Sequence, residues 1–340
     1  MNSNKVLSVV VPSFNMQDYI GRNVESIISA SCVDDIEIVI VNDGSTDETL
    51  KIAQHYEHLY PQSVRVIDKP NGHYGSCINI ALQSVSGKYF RILDADDMFD
   101  TNALEVFVEK LKTTNAELVV TQRVEISIDE NGKEKTTYFP LRNIEFGKVY
   151  HANTFSITDV SQGVEFNMHS MTYRTDVLRR VNLKLIEGVC YTDMIYCMIP
   201  ISNIESLVVF DIFLYHYYVG REGSSTTDQS IKRNFSHICK VLSYLITYVQ
   251  EHQGQNEIVR SNQMRWINEA SGFFFASLKK QVIIRAQDYP LIKSIVMGWK
   301  KLGFSSGTYN KYYFKPWIKY NTHISLLISL WFYRIIHPFK

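Results

Sequence analysis

A chain of 340 residues, 45% hydrophobic and 21% charged, is long enough for one large domain or two ordinary ones and has the composition of a soluble globular protein. Its 35 basic and 35 acidic residues cancel to a formal net charge of zero, which gives no reason to expect a nucleic-acid partner. The five cysteines are odd in number and form no CxxC pair, which argues against a disulfide framework or a zinc site and favours a reducing cytoplasm.

The N-terminal third of the chain alternates between strand and helix patterns. "VLSVVVPSF" is a short apolar run, so we expect a buried strand of a parallel sheet rather than a signal peptide. Helical spacing follows in "MQDYIGRNVESIISAS", and then come the strand "IEIVIV" and the helix "TDETLKIAQHY", for which Ser45 and Glu48 predict a capping box. Two more strands, "SVRVID" and "KYFRIL", each precede a helix. This alternation predicts a doubly wound α/β sheet.

Three of the predicted strand ends carry Pro12-Ser13-Phe14-Asn15, Asn42-Asp43 and Asp94-Ala95-Asp96-Asp97. Ligands of doubly wound sheets bind outside the carboxyl ends of the strands, so we expect these residues on the ligand-binding rim. In an extended segment alternate residues share a face, which predicts that Asp94 and Asp96 project to one side and Asp97 to the other. Carboxylates so close together repel one another, so a metal ion or basic side chains are expected beside them.

After about residue 115 the pattern changes. "AELVVTQRVEISIDENGKEKTTYF" predicts strands paired in a hairpin around Asn131-Gly132, and the chain reads as helical from about residue 228. We therefore predict three regions, at 1–112, 113–227 and 228–340, of which the last is helical.

The rim carboxylates suggest how a phosphate-rich ligand would be held. No GxGxxG follows the first strand and no GxxxxGK[ST] occurs, which argues against a dinucleotide-binding dehydrogenase and an ordinary P-loop. Mg²⁺ or Mn²⁺ would take oxygen from Asp96 and share the rest of its shell with diphosphate and water. Two alternatives stay open here. The aspartates form a capping and turn cluster before a helix at Thr101, or the chain is a phosphatase of the haloacid dehalogenase type.

Taken together, the motifs resemble those of glycosyltransferase family 2. The segments "SVVVPSFN", "IEIVIVNDGSTDET", "NGHYGSCINIAL", "GKYFRILDADDMF" and "YTD" occur in the order expected of that family, over about residues 6 to 225. The resemblance implies the GT-A fold, a Rossmann-like doubly wound mixed sheet, here followed by a C-terminal helical extension. It implies an inverting enzyme that transfers a sugar from a nucleotide sugar, UDP being preferred by family frequency. The acceptor class it suggests is a bacterial glycan or lipid-linked intermediate of polysaccharide synthesis.

The resemblance implies that 1–112 is the nucleotide-sugar-binding half and 113–227 the acceptor-binding half, and it also assigns roles to the rim residues. Pro12 and Ser13 would flank the nucleobase, and Asp43 would contact the base or ribose. In the Asp94-Ala95-Asp96 motif, Asp94 would lie near the ribose and sugar, and Asp96 would hold the divalent ion against the diphosphate. Asp193 matches the catalytic base, although Thr192 stands where the family usually has Glu or another polar residue. The alternative for Asp193 is a helix-capping or salt-bridged residue.

Two loops are further candidates for donor contacts. Asn71 and Gly72 permit close approach of the backbone to the nucleotide, with a plain turn as the alternative. Arg221, in "YHYYVGREGSST", resembles a residue of the segment that closes over the donor in related enzymes; an ordinary surface turn is the alternative. His169 and His216 are candidate metal ligands or acceptor contacts, and packed histidines are the more ordinary interpretation.

The C-terminal sequence "THISLLISLWFYRIIHPF" is too short to span a bilayer but combines basic, aromatic and apolar residues. This mix fits a helix on a membrane surface, and equally a helix docked on the catalytic domain or a dimer contact. We expect a cytoplasmic protein, peripheral at the inner face of the cell membrane if the tail binds lipid. The competing function from another class is a non-catalytic nucleotide-sugar-binding subunit.

Overall fold

The computed structural model describes residues 5–129, 132–142, 144–151, 167–221, 223–252, 257–280 and 284–303, together with Leu326 and Leu330. The chain divides into two compact units, Met1–Arg221 and Glu222–Lys340. The finer division into three regions at 112/113 and 227/228 stays a prediction.

The first unit is an α/β structure whose early elements follow the predicted alternation. Its strands are β1 (Leu7–Ser13), β2 (Ile36–Asp43), β3 (Val64–Lys69), β4 (Tyr89–Ile92), β5 (Met98–Phe99), β6 (Leu118–Ile128), β7 (Glu134–Phe139), β8 (Val149–His151), β9 (Met171–Arg174) and β10 (Ser206–Tyr218). Its helices are α1 (Ile20–Ile28), α2 (Thr49–Leu59), α3 (His73–Ser84), α4 (Thr101–Thr113), α5 (Thr175–Arg180) and α6 (Asp193–Ile201), with a 3₁₀ turn at Val33–Asp35.

The described strands form one mixed sheet with the order β3-β2-β1-β4-β9-β6-β10-β5, in which β7 lies beside β6 and β8 beside β10. Strands β1 to β4 are parallel to one another, whereas β9 is antiparallel to both β4 and β6. Strand β6 therefore runs in the same direction as β4. The carboxyl ends of β1, β2 and β4 therefore lie on the same side of the sheet, as predicted, and ligand binding there stays a prediction.

Apolar strands buried between helices explain this arrangement. Val9 and Val11 of β1 and Ile38 of β2 are fully buried, and they share a cluster with Val24 of α1 and Phe107 of α4. Alternate residues of a central parallel strand need apolar partners on both faces, which is why these strands read as nearly unbroken apolar runs. The predicted hairpin is also confirmed, because β6 and β7 pair antiparallel.

The second unit is helical where it is described. Its helices are α7 (Asp228–Arg233), α8 (Phe235–Glu251), α9 (Glu257–Lys280) and α10 (Tyr289–Leu302), with a 3₁₀ turn at Ala286–Asp288. Phe274, Phe275 and Trp299 form the aromatic centre of its core, and the indole N–H of Trp299 donates to Ser271 Oγ at 3.0 Å. Among the described helices, none is both long enough and apolar enough to cross a bilayer. The predicted membrane-surface helix falls outside the described residues, apart from Leu326 and Leu330.

Candidate active site

The aspartate motif forms a turn, not an extended segment. Strand β4 ends at Ile92, and the N–H of Asp97 donates to the carbonyl of Asp94 at 3.0 Å. The expectation that Asp97 projects away from Asp94 is therefore wrong, because alternation between faces holds only while the chain stays extended. Instead, one ligand atom each from Asp94, Asp97 and His169 lie within 4.8 Å of one another.

Asp97 is the inner member of this group. Its carboxylate is buried and accepts hydrogen bonds from the Tyr215 hydroxyl and the Tyr218 N–H, both at 2.7 Å. Burial and the neighbouring Asp96 charge raise the pKa of Asp97 to about 8, although these hydrogen bonds oppose the shift. Asp97 is thus held in place as part of the protein framework.

Asp94 faces the same crowded environment. Its Oδ1 accepts a hydrogen bond from the Tyr74 hydroxyl at 3.1 Å, and its N–H donates to the Tyr215 oxygen at 3.2 Å. Burial, followed by the charges of Asp97 and Asp96, raises the pKa of Asp94 well above its usual range. Two adjacent carboxylates that resist ionisation form a site that a cation would stabilise.

His169 completes the group as a neutral imidazole. Burial, with Arg123 and Arg91 nearby, lowers the pKa of His169 to about 3. Its ring packs against Tyr215 and Tyr217, with centroid distances of 4.9 and 4.4 Å. Within the described part of the chain, the buried Nδ1 of His169 has no hydrogen-bond partner. Our other histidine candidate, His216, does not belong to this group, and burial lowers its pKa.

Asp96 lies at the outer side of the turn, next to two arginines. Its Oδ2 accepts a hydrogen bond from Arg221 Nε at 2.7 Å, and its carbonyl accepts one from Arg22 Nη2 at 2.7 Å. The side chains of Arg221 and Asp96 are 21% and 19% exposed, so the ion pair is shielded but open to solvent. The Tyr19 ring lies within 5.3 Å of both guanidinium groups. The predicted positive partner of the motif is therefore present here as arginine.

Asp43 ends β2, on the side of the rim that the family resemblance assigns to the nucleotide. Its buried carboxylate forms an ion pair with Lys69 and accepts the Gly72 N–H at 2.9 Å. Asn71, next to Gly72 in the loop before α3, is exposed. A Cβ at Gly44 would lie 2.9 Å from the Asn71 backbone nitrogen, so the two backbones can lie this close only because residue 44 is glycine.

The end of β1 is next to this loop. Ser13 is buried opposite Asn42 in the β1–β2 register, and Pro12 is half-buried. Pro12, Ser13, Asp43, Asn71 and Gly72 therefore belong to neighbouring segments of one edge.

Asp193 is the first residue of α6 and is half-buried. Burial raises its pKa, although hydrogen bonds from its own N–H and that of Met194 oppose the shift. The Asp193 charge contributes to the raised pKa values of both Tyr74 and Asp94, so its carboxylate is near them. A carboxylate with a raised pKa is a better proton acceptor, which suits a general base.

Three residues of this site were not identified from the sequence. Tyr74 contacts Asp94, Tyr215 bridges Asp94 and Asp97, and Arg22 binds the Asp96 carbonyl. Tyrosines and an arginine in helices and strands carry no local pattern that marks them as site residues. Their contacts arise from the folding of distant segments onto the aspartate turn.

Comparison with known proteins decides the family. Residues 8–175 match the family model described as glycosyl transferase family 2. The chain carries a family 2 glycosyltransferase domain. This confirms the resemblance inferred from the motifs and favours a glycosyltransferase over the phosphatase alternative.

Two sequence relatives illustrate the breadth of the similarity. An uncharacterized glycosyltransferase, YibD of Escherichia coli (strain K12), is 26% identical over 70% of this chain and 68% of its own length. The hyaluronan synthase of Pasteurella multocida is 36% identical over 32% of this chain, which is only 11% of that synthase. The family 2 domain is thus related to polysaccharide synthases, while this chain spans a small part of the synthase it matches.

Solved structures confirm the fold. S. aureus TarS 1-349 in complex with UDP-GlcNAc superposes with a TM-score of 0.69 at 16% identity, covering 98% of this chain and 93% of that chain. A mannosyltransferase from Pyrobaculum calidifontis, in complex with GDP-Man and Mn²⁺, has a TM-score of 0.54 at 14% identity, with 99% and 89% covered. The predicted GT-A α/β fold with a C-terminal helical extension is therefore confirmed.

Proposed function

We propose that this glycosyltransferase is a metal-dependent, inverting enzyme that moves a sugar from a UDP-sugar to a glycan or lipid-linked acceptor in bacterial polysaccharide synthesis. The observation that carries the proposal is that Asp43, Asp94 and Asp96 lie at the carboxyl ends of β2 and β4, with Asp193 close enough to raise the pKa of Asp94. The relation to hyaluronan synthase supports the acceptor class, and the fold shared with UDP-GlcNAc-bound TarS supports a nucleotide-sugar donor. The cytoplasmic location, at or near the inner face of the membrane, stays a prediction.

The nucleotide would bind along the ends of β1 and β2. Asp43 holds Gly72 and Lys69 in place, so it shapes the loop at 69–72 as well as offering a carboxylate to the base or ribose. The exposed Asn71 and the half-buried Pro12 would line the same surface, with Ser13 behind them. Asp94 would face the ribose and the sugar to be transferred.

The residues at the aspartate turn fit a hard divalent cation. A cationic group, Arg221, already lies on Asp96 Oδ2, and the neighbouring Asp94 and Asp97 carboxylates have raised pKa values because their charges are crowded and buried. Carboxylate oxygens are the ligands that Mg²⁺ and Mn²⁺ prefer, and we propose Asp96 as the protein ligand. An ion bound there would neutralise charge on the departing nucleotide diphosphate. The Mn²⁺ and GDP-Man bound by the mannosyltransferase of the same fold support this assignment.

Asp193 would act as the general base. Its carboxylate takes the proton from the acceptor hydroxyl as that hydroxyl attacks the anomeric carbon from the face opposite the diphosphate, which inverts the configuration. The nucleotide diphosphate leaves as an anion and needs no proton. One basic carboxylate therefore suffices, in contrast to glycoside hydrolases, which use two.

Arg221 would change partner when the donor binds. Its guanidinium forms an ion pair with the same Asp96 carboxylate that is proposed to hold the metal ion. Gly220, next to it, has φ of 88°, a conformation that glycine adopts readily, and a Cβ there would meet no atom within 4 Å. Once Asp96 binds the metal ion, the diphosphate of the donor would become the anionic partner of Arg221.

The test is incubation of the full chain with Mn²⁺ and a panel of UDP-, GDP- and dTDP-sugars, followed by analysis of the products. The proposal predicts slow release of the free nucleoside diphosphate from one donor, and faster release when the correct acceptor is added. Binding of a donor without release would instead support the non-catalytic subunit. Release of inorganic phosphate would support the phosphatase.

A further inference from the structure

The segment that leads into Asp193 has no regular secondary structure of its own and is held by helix α3. We call residues 183–192 the base loop. The side chain of Asn79, in α3, brackets one residue of this loop: Asn79 Oδ1 accepts the Leu185 N–H and Asn79 Nδ2 donates to the Leu185 carbonyl, both at 2.9 Å. The same Nδ2 also donates to Glu187 Oε1 at 2.9 Å. One side chain thus satisfies both backbone groups of Leu185, as a neighbouring strand would do.

The backbones of α3 and the base loop also approach each other closely. A Cβ at Gly75 would lie 2.3 Å from the Ile186 carbonyl oxygen, so no other residue fits there without a shift. One turn earlier, the Gly188 N–H donates to the Gly72 carbonyl at 2.8 Å. The base loop is therefore fixed to α3 at two points by direct contact.

One residue of α3 and one residue of the base loop have a left-handed backbone conformation. His73 has φ of 62° and Tyr191 has φ of 66°, and both are bulky residues for which this conformation is rare. Such conformations persist only where surrounding contacts enforce them. His73 Nδ1 lies 3.8 Å from Cys190 Sγ, so the two strained positions are adjacent in space.

The start of α3 reaches the donor side as well. The Gly72 N–H binds Asp43, and the Tyr74 hydroxyl binds Asp94. The start of α3 therefore contacts Asp43, which is proposed to bind the nucleotide, and Asp94, which is proposed to face the sugar. It also contacts the base loop, which leads to Asp193.

We propose that Asn79 is a positioning residue for the reaction: through Leu185, and together with Gly75, it fixes the base loop so that Asp193 faces the sugar held at Asp94. This inference rests on the proposed function. Displacing a catalytic group by about 1 Å costs on the order of 100-fold in rate, so loosening this contact should act on turnover without loss of donor binding.

The experiment compares Asn79→Ala and Gly75→Ala with Gln83→Ala, an exposed amide on the same helix. We expect the first two variants to lower kcat by about 10- to 100-fold with unchanged UDP affinity in Mn²⁺, and Gln83→Ala to match the wild type. In hydrogen exchange, Asn79→Ala should speed exchange of residues 183–192 while the amides of β1 and β2 stay protected.

Three results would overturn the inference: wild-type kcat in Asn79→Ala, an equal loss of UDP affinity and kcat, or unchanged exchange in the base loop. Asp193→Asn, measured in parallel, separates this inference from the proposed function. If Asp193→Asn turns over normally, the base assignment fails, whereas the hydrogen-exchange result still reports whether Asn79 holds the loop.

Discussion

Two carboxylate sites lie at opposite ends of the strands of the same sheet. At the amino end of β6, Glu117 accepts hydrogen bonds from Arg180 at 2.9 and 3.0 Å, from Arg174 at 3.1 Å and from the Glu205 N–H at 2.7 Å. At the carboxyl end of β4, Asp94 and Asp97 accept bonds from hydroxyl and amide groups, with no guanidinium hydrogen bond to either among the described residues.

The pKa values follow this difference. Burial would raise the pKa of Glu117, but the hydrogen bonds from Arg180 and Glu205 and the charges of both arginines lower it below its usual value. Burial raises the pKa values of Asp94 and Asp97, and their neighbours are more carboxylates. Glu117 has the neutralised environment of a structural ion pair, whereas in the aspartate turn only Asp96 has an ion pair among the described residues, and Asp94 and Asp97 have none. Buried carboxylates with raised pKa values are typical of a functional site.

The largest effect that we expect concerns the reaction itself. Asp193→Asn keeps the shape of the side chain but removes the proposed base, which should lower sugar transfer by about 10²- to 10⁴-fold with little change in UDP-sugar affinity. The wild-type rate should fall as pH decreases through the pKa of Asp193, above the usual value of about 3.9, because burial raises it and only the ionised form accepts a proton. Transfer is measured as UDP release over a pH series. Transfer within a few-fold of wild type would place the base elsewhere, with Glu187 and Asp211 the next carboxylates to test.

The second-largest effect that we expect concerns Glu117, at the amino end of β6. Glu117→Ala leaves two arginines without their buried partner and should lower the free energy of unfolding by about 3 kcal/mol, at the low end for a broken buried pair because Arg174 and Arg180 are partly exposed. UDP affinity should stay unchanged. Since the folded pKa of Glu117 is depressed, its contribution is present above the unfolded pKa and is lost as pH falls through the folded pKa.

Urea unfolding at several pH values measures the effect of Glu117→Ala. The matched control is Asp176→Ala, which removes an exposed carboxylate from the same Arg174 and should change stability far less. If Glu117→Ala were no more destabilising than Asp176→Ala, Glu117 would not be the stabilising ion pair that contrasts with the aspartate turn.

A smaller effect, of opposite sign in two measurements, is expected at Arg221. Arg221→Ala frees the Asp96 carboxylate, so the variant should bind Mn²⁺ alone several-fold more tightly but bind UDP with Mn²⁺ several-fold more weakly. Arg22→Gln is the control, because Arg22 binds the Asp96 carbonyl rather than its carboxylate. Calorimetric titrations with Mn²⁺ alone and with Mn²⁺ plus UDP measure both effects. Equal changes in the two variants would mean that general charge, and not the ion pair, controls the site.

The smallest effect concerns the capping interpretation of the aspartate motif. Asp100 is the residue that caps α4, since its carboxylate accepts the Ala103 N–H at 2.8 Å. Asp100→Ala should therefore cost about 1 kcal/mol of stability and leave UDP binding unchanged. Thermal unfolding and UDP titration of this variant are the measurements. A loss of UDP binding would show that the turn, and not the individual Asp96 carboxylate, is what the donor requires.

The fold and the rim could be predicted from the sequence because they depend on local patterns. Buried apolar runs such as that around Val9 mark parallel strands, and the sites of doubly wound sheets lie at the strand ends. The pairing of Asp94 with Asp97 could not be predicted, because it depends on where β4 ends and the turn begins. The ion pairs Asp43–Lys69 and Asp96–Arg221 join residues that are distant in sequence, and no local pattern indicates them.

The predicted capping box failed for a related reason. Helix α2 begins at Thr49, and Asp47 accepts hydrogen bonds from the Thr49 N–H and hydroxyl. Ser45 instead accepts the Asn15 N–H from the end of β1, and Glu48 pairs with Lys51. The Asp47 carboxylate and the tertiary contact between Ser45 and Asn15 therefore replaced the predicted capping box of Ser45 and Glu48.

We propose that Asp96, at the carboxyl end of β4, holds a divalent ion for the nucleotide diphosphate. The most direct test is calorimetric titration of UDP, with and without Mn²⁺, into wild type, Asp96→Asn, Asp97→Asn and Asp100→Asn. We predict that UDP binding depends on Mn²⁺ in the wild type and in Asp100→Asn, and that Asp96→Asn loses this dependence. Metal-dependent binding that persists in Asp96→Asn but disappears in Asp97→Asn would contradict the claim and assign the ion to the inner group of Asp94, Asp97 and His169.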